Sequence, residues 1–273
     1  MDTRPIGVFD SGLGGLTTVR ELRRIMPFED IVYFGDTGRV PYGTRSREII
    51  RKYAAQDIRF LLSKNVKMVV VACNTATAAL AGEPVPLPVP MVEAIAPAVQ
   101  AAARATRSGR ISVIGTTATV RSGAYERAFQ ALDPEIAVFA SACPLFVPLV
   151  ENGFTGRSDP VARLVAEQYL EPVRAHGADT LILGCTHYPI LRELISDLMG
   201  PDVTLIDSGA EAARAASAAL EREGMENGSG RPGSCRCYVS DSAECFEHSA
   251  RPILGEADGL SPATAEQIDS ESY

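Results

Sequence analysis

MVVVACNTA (68–76) and TLILGCTHY (180–188) share one pattern: an apolar run of strand length, a small residue, a cysteine, then amide or hydroxyl side chains. Continuous apolar runs fit central parallel strands buried on both faces, whereas a strand with one face in water would alternate. Upstream of the first run, Ile6–Asp10 reads as a short strand, Gly12, Gly14 and Gly15 as a turn, and Leu16–Ile25 as a helix. Ile31–Asp36 is a second strand, and Ser46–Ser63 a helix with Ile50, Ala54, Ile58 and Leu61 at helical spacing. Lys67–Ala72 is the third strand. The second half repeats the order. Arg110–Gly115 is a strand, Thr117–Ala131 a helix and Ile136–Ala140 a strand; Asp159 and Pro160 cap and open the helix Val161–Ala175, and strands follow at Thr180–Gly184 and Val203–Asp207. GVFDSGLGG (7–15) and SVIGTTATV (112–120) open the halves alike; Cys73 follows Asp10 by 63 positions and Cys185 follows Thr116 by 69.

The pattern predicts an α/β chain of two pseudo-symmetric lobes, each a mostly parallel sheet flanked by helices. Ligands of such sheets bind beyond the strands' carboxyl ends, where Asp10, Asp36, Cys73, Thr116 and Cys185 fall. Facing lobes bring both cysteines to one interlobe cleft. Pro84–Pro90 is read as a loop leading to an interlobe crossover near Pro97, Gly224–Gly233 as a turn or flexible connection, and Cys235–Ser240 as an edge strand returning to the first lobe. The polar tail 257–273 is expected to fray.

Composition narrows the function. With 46% hydrophobic and 22% charged residues, the 273-residue chain builds a full core. A formal charge of −8 disfavours nucleic-acid binding. No apolar run reaches the ~20 residues of a membrane span, and the start, MDTRPIGVFD, lacks a secretory apolar segment, so a cytoplasmic protein is expected. Six cysteines without a CxxC read as free thiols. The Cys235, Cys237, Cys245 and His248 group matches no common zinc spacing, so no metal is expected. GLGG (12–15) lacks the GxGxxG dinucleotide pattern. Pyridoxal phosphate requires a Schiff-base lysine; the three lysines, Lys52, Lys64 and Lys67, lie on a helix, at its end, or before a strand, never at a strand's carboxyl end.

A lone strand-end cysteine is ordinarily a small buried hydrophobe, the reading given to Cys143 in SACPLFVP (141–148). Cys73 and Cys185 differ because they occupy equivalent places in a repeat. A free thiol has a pKa of ~8.5, and about 2 kcal/mol would bring it to ~7. Helix starts at Asn74–Thr75 and Thr186–His187 are expected to contribute. A thiolate on one side of a carbon and a thiol on the other can exchange its proton with inversion. Asp10 and His187 are candidate proton shuttles, against the plainer readings of a turn-forming Asp and a surface His. Pro41, Tyr42 and Gly43 form either an ordinary turn or a loop whose N–H groups take a carboxylate. Ser11, Asn74, Thr75, Thr116, Thr117, Thr119 and Thr186 are neutral donors suited to a zwitterion. Glu151 is either solvated or receives an ammonium group.

These segments resemble the glutamate racemases of bacterial cell-wall synthesis, within the aspartate/glutamate racemase superfamily. The resemblance runs through GVFDSGLGGLTTVREL (7–22), IVYFGDTGRVPYGTRS (31–46), VVVACNTATA (69–78), IGTTATVRSGAY (114–125), CPLFVPLVENG (143–153), LILGCTHYPIL (181–191) and YVSDS (238–242), covering roughly residues 5–255. It implies that Cys73 and Cys185 are the acid/base pair of a cofactor-independent interconversion of L- and D-glutamate, supplying D-glutamate for peptidoglycan. It implies that Asp10, Ser11, Tyr42, Gly43, Asn74, Thr75, Thr186 and His187 meet substrate, with Asp36, Glu151 and His187 as supporting groups. It further implies a homodimer and a discontinuous first lobe (1–96 with 207–256) around a second (97–206). An aspartate racemase is the nearest alternative, since one methylene is worth only ~1–3 kcal/mol in a pocket.

Overall fold

The computed structural model describes residues 1–83, 85–254 and 265–273. In chain order, β1 (Ile6–Asp10), α1 (Leu16–Ile25), β2 (Ile31–Gly35), α2 (Arg47–Ser63), β3 (Met68–Val71), α3 (Asn74–Leu80) and β4 (Met91–Glu93) come first. Then α4 (Ile95–Ala105) crosses to β5 (Arg110–Gly115), α5 (Thr117–Ser122), α6 (Ala124–Leu132), β6 (Ala137–Ala142), α7 (Phe146–Glu151), α8 (Pro160–His176), β7 (Thr180–Gly184), α9 (Arg192–Met199) and β8 (Thr204–Asp207). The helix α10 (Ser208–Glu223) leads back to β9 (Cys235–Val239), α11 (Ala243–Leu254) and β10 (Glu266–Gln267). Among the described residues the strands form a six-stranded sheet, β10-β9-β2-β1-β3-β4, and a four-stranded sheet, β6-β5-β7-β8. Every strand pairing in both is parallel.

Burial explains the continuous apolar runs. Every residue of β1, β2, β3 and β7 is buried, because each sheet is covered on both faces. On the first sheet, Ile6, Val8 and Val70 pack with Leu16, Val19 and Leu22 of α1 and Ala212, Ala216 and Leu220 of α10. Its other face packs Phe9, Phe34, Val69 and Val71 against Ile50, Ala54, Ile58 and Leu61 of α2. On the second sheet, Ile111, Val113 and Ile182 meet Ala98, Val99 and Ala102 of α4 and Phe129 of α6. Leu181 and Leu183 meet Ala166 and Leu170 of α8 and Leu194 of α9 on the opposite face. Helix ends follow local chemistry: Ser46 and Asp159 accept hydrogen bonds from the first turns of α2 and α8, and Gly177 closes α8 in the left-handed region.

Several expectations are corrected. The helix predicted over Thr117–Ala131 is two helices, because Gly123 has φ 62° and breaks the run before Tyr125. No helix opens at Thr186–His187; those residues form a turn, and a 3-10 turn follows at Tyr188–Leu191. The strand at Cys235–Val239 is internal, lying between β2 and β10. Of the tail expected to fray, 257–264 lie outside the described residues, but 265–273 dock on the first sheet: β10 joins β9, and Tyr273 packs edge-on against Phe60 with centroids 5.2 Å apart. Within the proline-rich loop, Pro84 lies outside the described residues. The stretch after α10 is irregular yet pinned, since Asn227 N–H donates to Glu29 Oε1 at 2.7 Å and Arg231 reaches Asp30 at 2.7 Å.

One buried ion pair closes this region. Lys67 Nζ lies 2.6 Å from Glu29 Oε2 and donates to the carbonyls of Asp2 and Met225 at 2.8 and 2.7 Å. Removing the ammonium alone leaves a buried carboxylate unpaired, a cost of about 3–5 kcal/mol. Lys67→Met is therefore expected to lower the urea midpoint of unfolding strongly, and adding Glu29→Gln to recover part of the loss. An unchanged midpoint in Lys67→Met would refute this account.

Candidate functional site

The carboxyl ends of β1, β3, β5 and β7 converge. A cavity of about 340 Å³ lies there, lined from the first sheet's side by Ser11, Val40, Pro41, Tyr42, Gly43, Thr44, Cys73, Asn74 and Thr75. From the second sheet's side it is lined by Thr116, Thr117, Cys143, Pro144, Val147, Pro148, Glu151, Cys185, Thr186 and His187. Residues from both halves of the repeat thus share one cavity, with both motif cysteines on its wall. Among the described residues, its lining includes no lysine or arginine.

The two cysteines stand in different surroundings. Cys73 is the N-cap of α3: its Sγ accepts from Ala76 N–H at 3.4 Å and lies 3.7 Å from Ser11 Oγ. Burial nevertheless pushes its thiol up to about 12, with the nearby Asp10 carboxylate adding to the rise and the Ala76 N–H opposing it. The expected lowering by a helix start is overridden here by desolvation. Cys185 follows β7 directly, and its Sγ is 3.9 Å from His187 Nδ1. His187 Nε2 in turn lies 3.1 Å from Glu151 Oε1. Burial works against charge on His187, but the contacts with Cys185 and Glu151 raise its pKa to about 10. A histidine whose pKa is raised therefore faces one sulfur, while a thiol whose pKa is pushed up stands at the other.

Other sequence-derived candidates divide by position. Asp10 does not line the cavity. It is buried behind it, accepting from Thr186 Oγ1 and Gly12 N–H, each at 3.2 Å, and burial raises its carboxyl above the ordinary range despite the nearby His187 charge. Thr119 is likewise one layer back, 3.0 Å from Thr116 Oγ1 and 3.3 Å from Thr75 Oγ1, while Thr75 and Thr116 meet at 2.9 Å. Asn74 reaches the wall, but its amide is engaged across the molecule: Nδ2 donates to Ser208 Oγ at 3.0 Å, and Tyr125 donates to Oδ1 at 2.6 Å. Asp36 lies outside the cavity, bound to Arg39, Ser240 and the Tyr42 hydroxyl. The Tyr42 hydroxyl consequently points away from the cavity, so it is the backbone of 41–44 that is available there.

Part of the lining carries no signal in the sequence. Cys143 is fully buried, as core packing requires, yet it also borders the cavity. Val40, Thr44, Pro144, Val147 and Pro148 carry no polar pattern that would single them out. Asp57 was missed altogether; it sits on α2 and binds Tyr42 and Arg39 at 2.9 Å each.

Residues 16–216 match the Asp/Glu/hydantoin racemase family. The glutamate racemase of Geobacter metallireducens is 44% identical over 93% of this chain and 94% of its own. Among solved structures, a glutamate racemase from Bacillus anthracis superposes with a TM-score of 0.92 at 38% identity, covering 98% of both chains. The Francisella tularensis glutamate racemase, solved in complex with D-glutamate, gives 0.87 at 37% identity over the full length of both. A match across most of the chain, joined to relatives of this similarity, makes the protein a member of the Asp/Glu/hydantoin racemase family.

Proposed function

We propose that the protein interconverts L- and D-glutamate at the cavity between the two sheets, supplying D-glutamate for peptidoglycan, with Cys73 and Cys185 as the acid/base pair. The observation that carries this reading is the pair of cysteines arriving from different sheets at one cavity. A sulfur on each side of Cα allows removal of its proton on one face and return on the other. The solved glutamate racemases that cover 98–100% of the chain, with TM-scores of 0.92 and 0.87, support glutamate over aspartate. A cytoplasmic, homodimeric enzyme belongs to the same reading and rests on family membership rather than on any feature of the cavity.

The roles follow from the surroundings of each sulfur. Cys73, pushed up to about 12, serves as the proton donor in the direction in which Cys185 takes the Cα proton. The His187 ring, 3.9 Å from Cys185 Sγ, is placed to exchange a proton with that sulfur, and Glu151 holds its other nitrogen. In the reverse direction Cys185 donates and Cys73 receives; the adjacent Asp10 carboxyl responds to the charge that appears there. Without lysine or arginine in the lining, the substrate carboxylates are met by neutral donors: the hydroxyls of Ser11, Thr75, Thr116, Thr117 and Thr186 and the 41–44 backbone. Among the described residues, the lining offers no amine for a Schiff base.

Three measurements test this. Incubation with L-glutamate in D₂O is expected to give loss of optical rotation together with deuterium at Cα; absence of exchange would sink the racemase reading, and exchange with aspartate alone would select the aspartate alternative. Cys73→Ala and Cys185→Ala are each expected to lower racemisation by at least the ~10²–10⁴-fold worth of a positioned acid–base group; full activity in either would refute the two-thiol scheme. Glu151→Gln bears on pH. The Glu151 carboxylate raises the His187 pKa, so its removal lowers that pKa. The alkaline limb of kcat/KM is expected to move to lower pH, and an unmoved or upward-moving limb would remove Glu151 from this role.

A further inference from the structure

The Tyr42 hydroxyl has one proton and two carboxyl neighbours. Its Oη makes a short hydrogen bond with Asp36 Oδ2 and lies 2.9 Å from Asp57 Oδ2. One hydroxyl donates once, so in one of these contacts the carboxyl is the donor. Asp36 is already crowded with donors: Arg39 Nε reaches its two oxygens at 2.9 and 2.7 Å, and Ser240 Oγ donates to Oδ1 at 2.7 Å. Asp57 receives Arg39 Nη2 on Oδ1, at 2.9 Å, and its Oδ2 faces Tyr42. Both carboxyls are wholly buried. One guanidinium cannot neutralise two buried carboxylates, and Glu271 also approaches it at 3.7 Å.

We propose that Asp57 carries a proton, donates it to Tyr42, and thereby positions the 41–44 loop that walls the cavity. The chain of donors runs from Asp57 to the Tyr42 hydroxyl, from Tyr42 to ionised Asp36, and from Arg39 to both carboxyls. Burial and the neighbouring Asp36 both push the Asp57 carboxyl up, in keeping with this arrangement. The loop so held is placed tightly: a Cβ on Gly43 would come within 2.9 Å of Thr116 Cβ on the opposite side of the cavity. Asp57 is a positioning residue, acting on the backbone of Gly43 and Thr44 through Tyr42. The inference rests on the reading of this cavity as the glutamate site.

The test separates proton from position. In substrate-free protein, the infrared difference between the parent and Asp57→Asn is expected to show loss of the carbonyl stretch of a protonated carboxyl; no such loss overturns the assignment. In racemase assays, Asp57→Ala is expected to raise KM for glutamate about tenfold with a smaller change in kcat, as for a lost hydrogen bond in a charged network. Asp57→Asn places an amide donor where the carboxyl proton stood and is expected to recover KM to within about threefold of the parent, whereas Asp36→Asn sets a donor against Arg39 and recovers nothing relative to Asp36→Ala. Equal damage from Asp57→Asn and Asp57→Ala overturns the proposal. If Asp57→Ala does not fold, Tyr42→Phe removes the same link, and an unchanged KM there overturns it. The infrared arm is independent of substrate; a parent protein that fails to racemise glutamate overturns the functional reading instead.

Discussion

Gly14 occupies a point where two lobes meet too closely for a side chain. A Cβ there would stand 2.3 Å from Thr186 Oγ1 and 2.4 Å from His187 Nδ1. The approach is held by hydrogen bonds that cross between the lobes: Thr17 Oγ1 donates to the carbonyl of Thr186 at 2.9 Å, and Thr186 Oγ1 donates to Asp10. With the turn after β7 fixed against the turn after β1, the position of Cys185 relative to Cys73 is no longer free. Asn74 adds a second tie, through Ser208 and Tyr125. The cavity is therefore a product of how the sheets dock, and residues that never touch its interior set its shape.

Equivalent places in an internal repeat do not give equivalent chemistry. Cys73 caps a helix and still has its thiol pushed up to about 12, because an amide N–H at 3.4 Å is outweighed by burial and a nearby carboxylate. Cys185 has a turn behind it and an imidazole beside it. The repeat provides geometric opposition; divergence of the residues after each cysteine provides different proton inventories. Such a difference suits the proposed two-thiol reaction, whose two directions would each need one sulfur protonated and the other not.

The strands, the two-lobe plan and most cavity residues were legible because long apolar runs, glycine turns and strand-end polar residues are local signals. What escaped depends on partners far along the chain. Asp57 stands seven positions after Ile50, three after Ala54 and four before Leu61, so it falls on the apolar face of its helix; the partners that explain a buried acid there, Tyr42 and Arg39, are brought to it only by the fold. The break at Gly123 is a lone glycine inside a run otherwise compatible with one helix, which does not by itself fix a boundary. The turn at Thr186–His187 was mistaken for a helix start, although Pro189 restricts the residue before it. The docked tail lacked any apolar run; Tyr273 finds Phe60 through tertiary packing alone.

The internal position of β9 has a consequence for how the protein is made. Strand β2 pairs with residues 235–239, so about 200 residues separate the partners across that ladder. All strands of the four-stranded sheet lie between Arg110 and Asp207. At roughly 5–20 residues per second of synthesis, β2 waits on the order of 10–40 seconds for its neighbour, its outer hydrogen-bonding groups open meanwhile. The second lobe has all its strands before the first does. The opening strands of the chain belong to the sheet that is finished last, and the open edge of β2 lasts through most of translation.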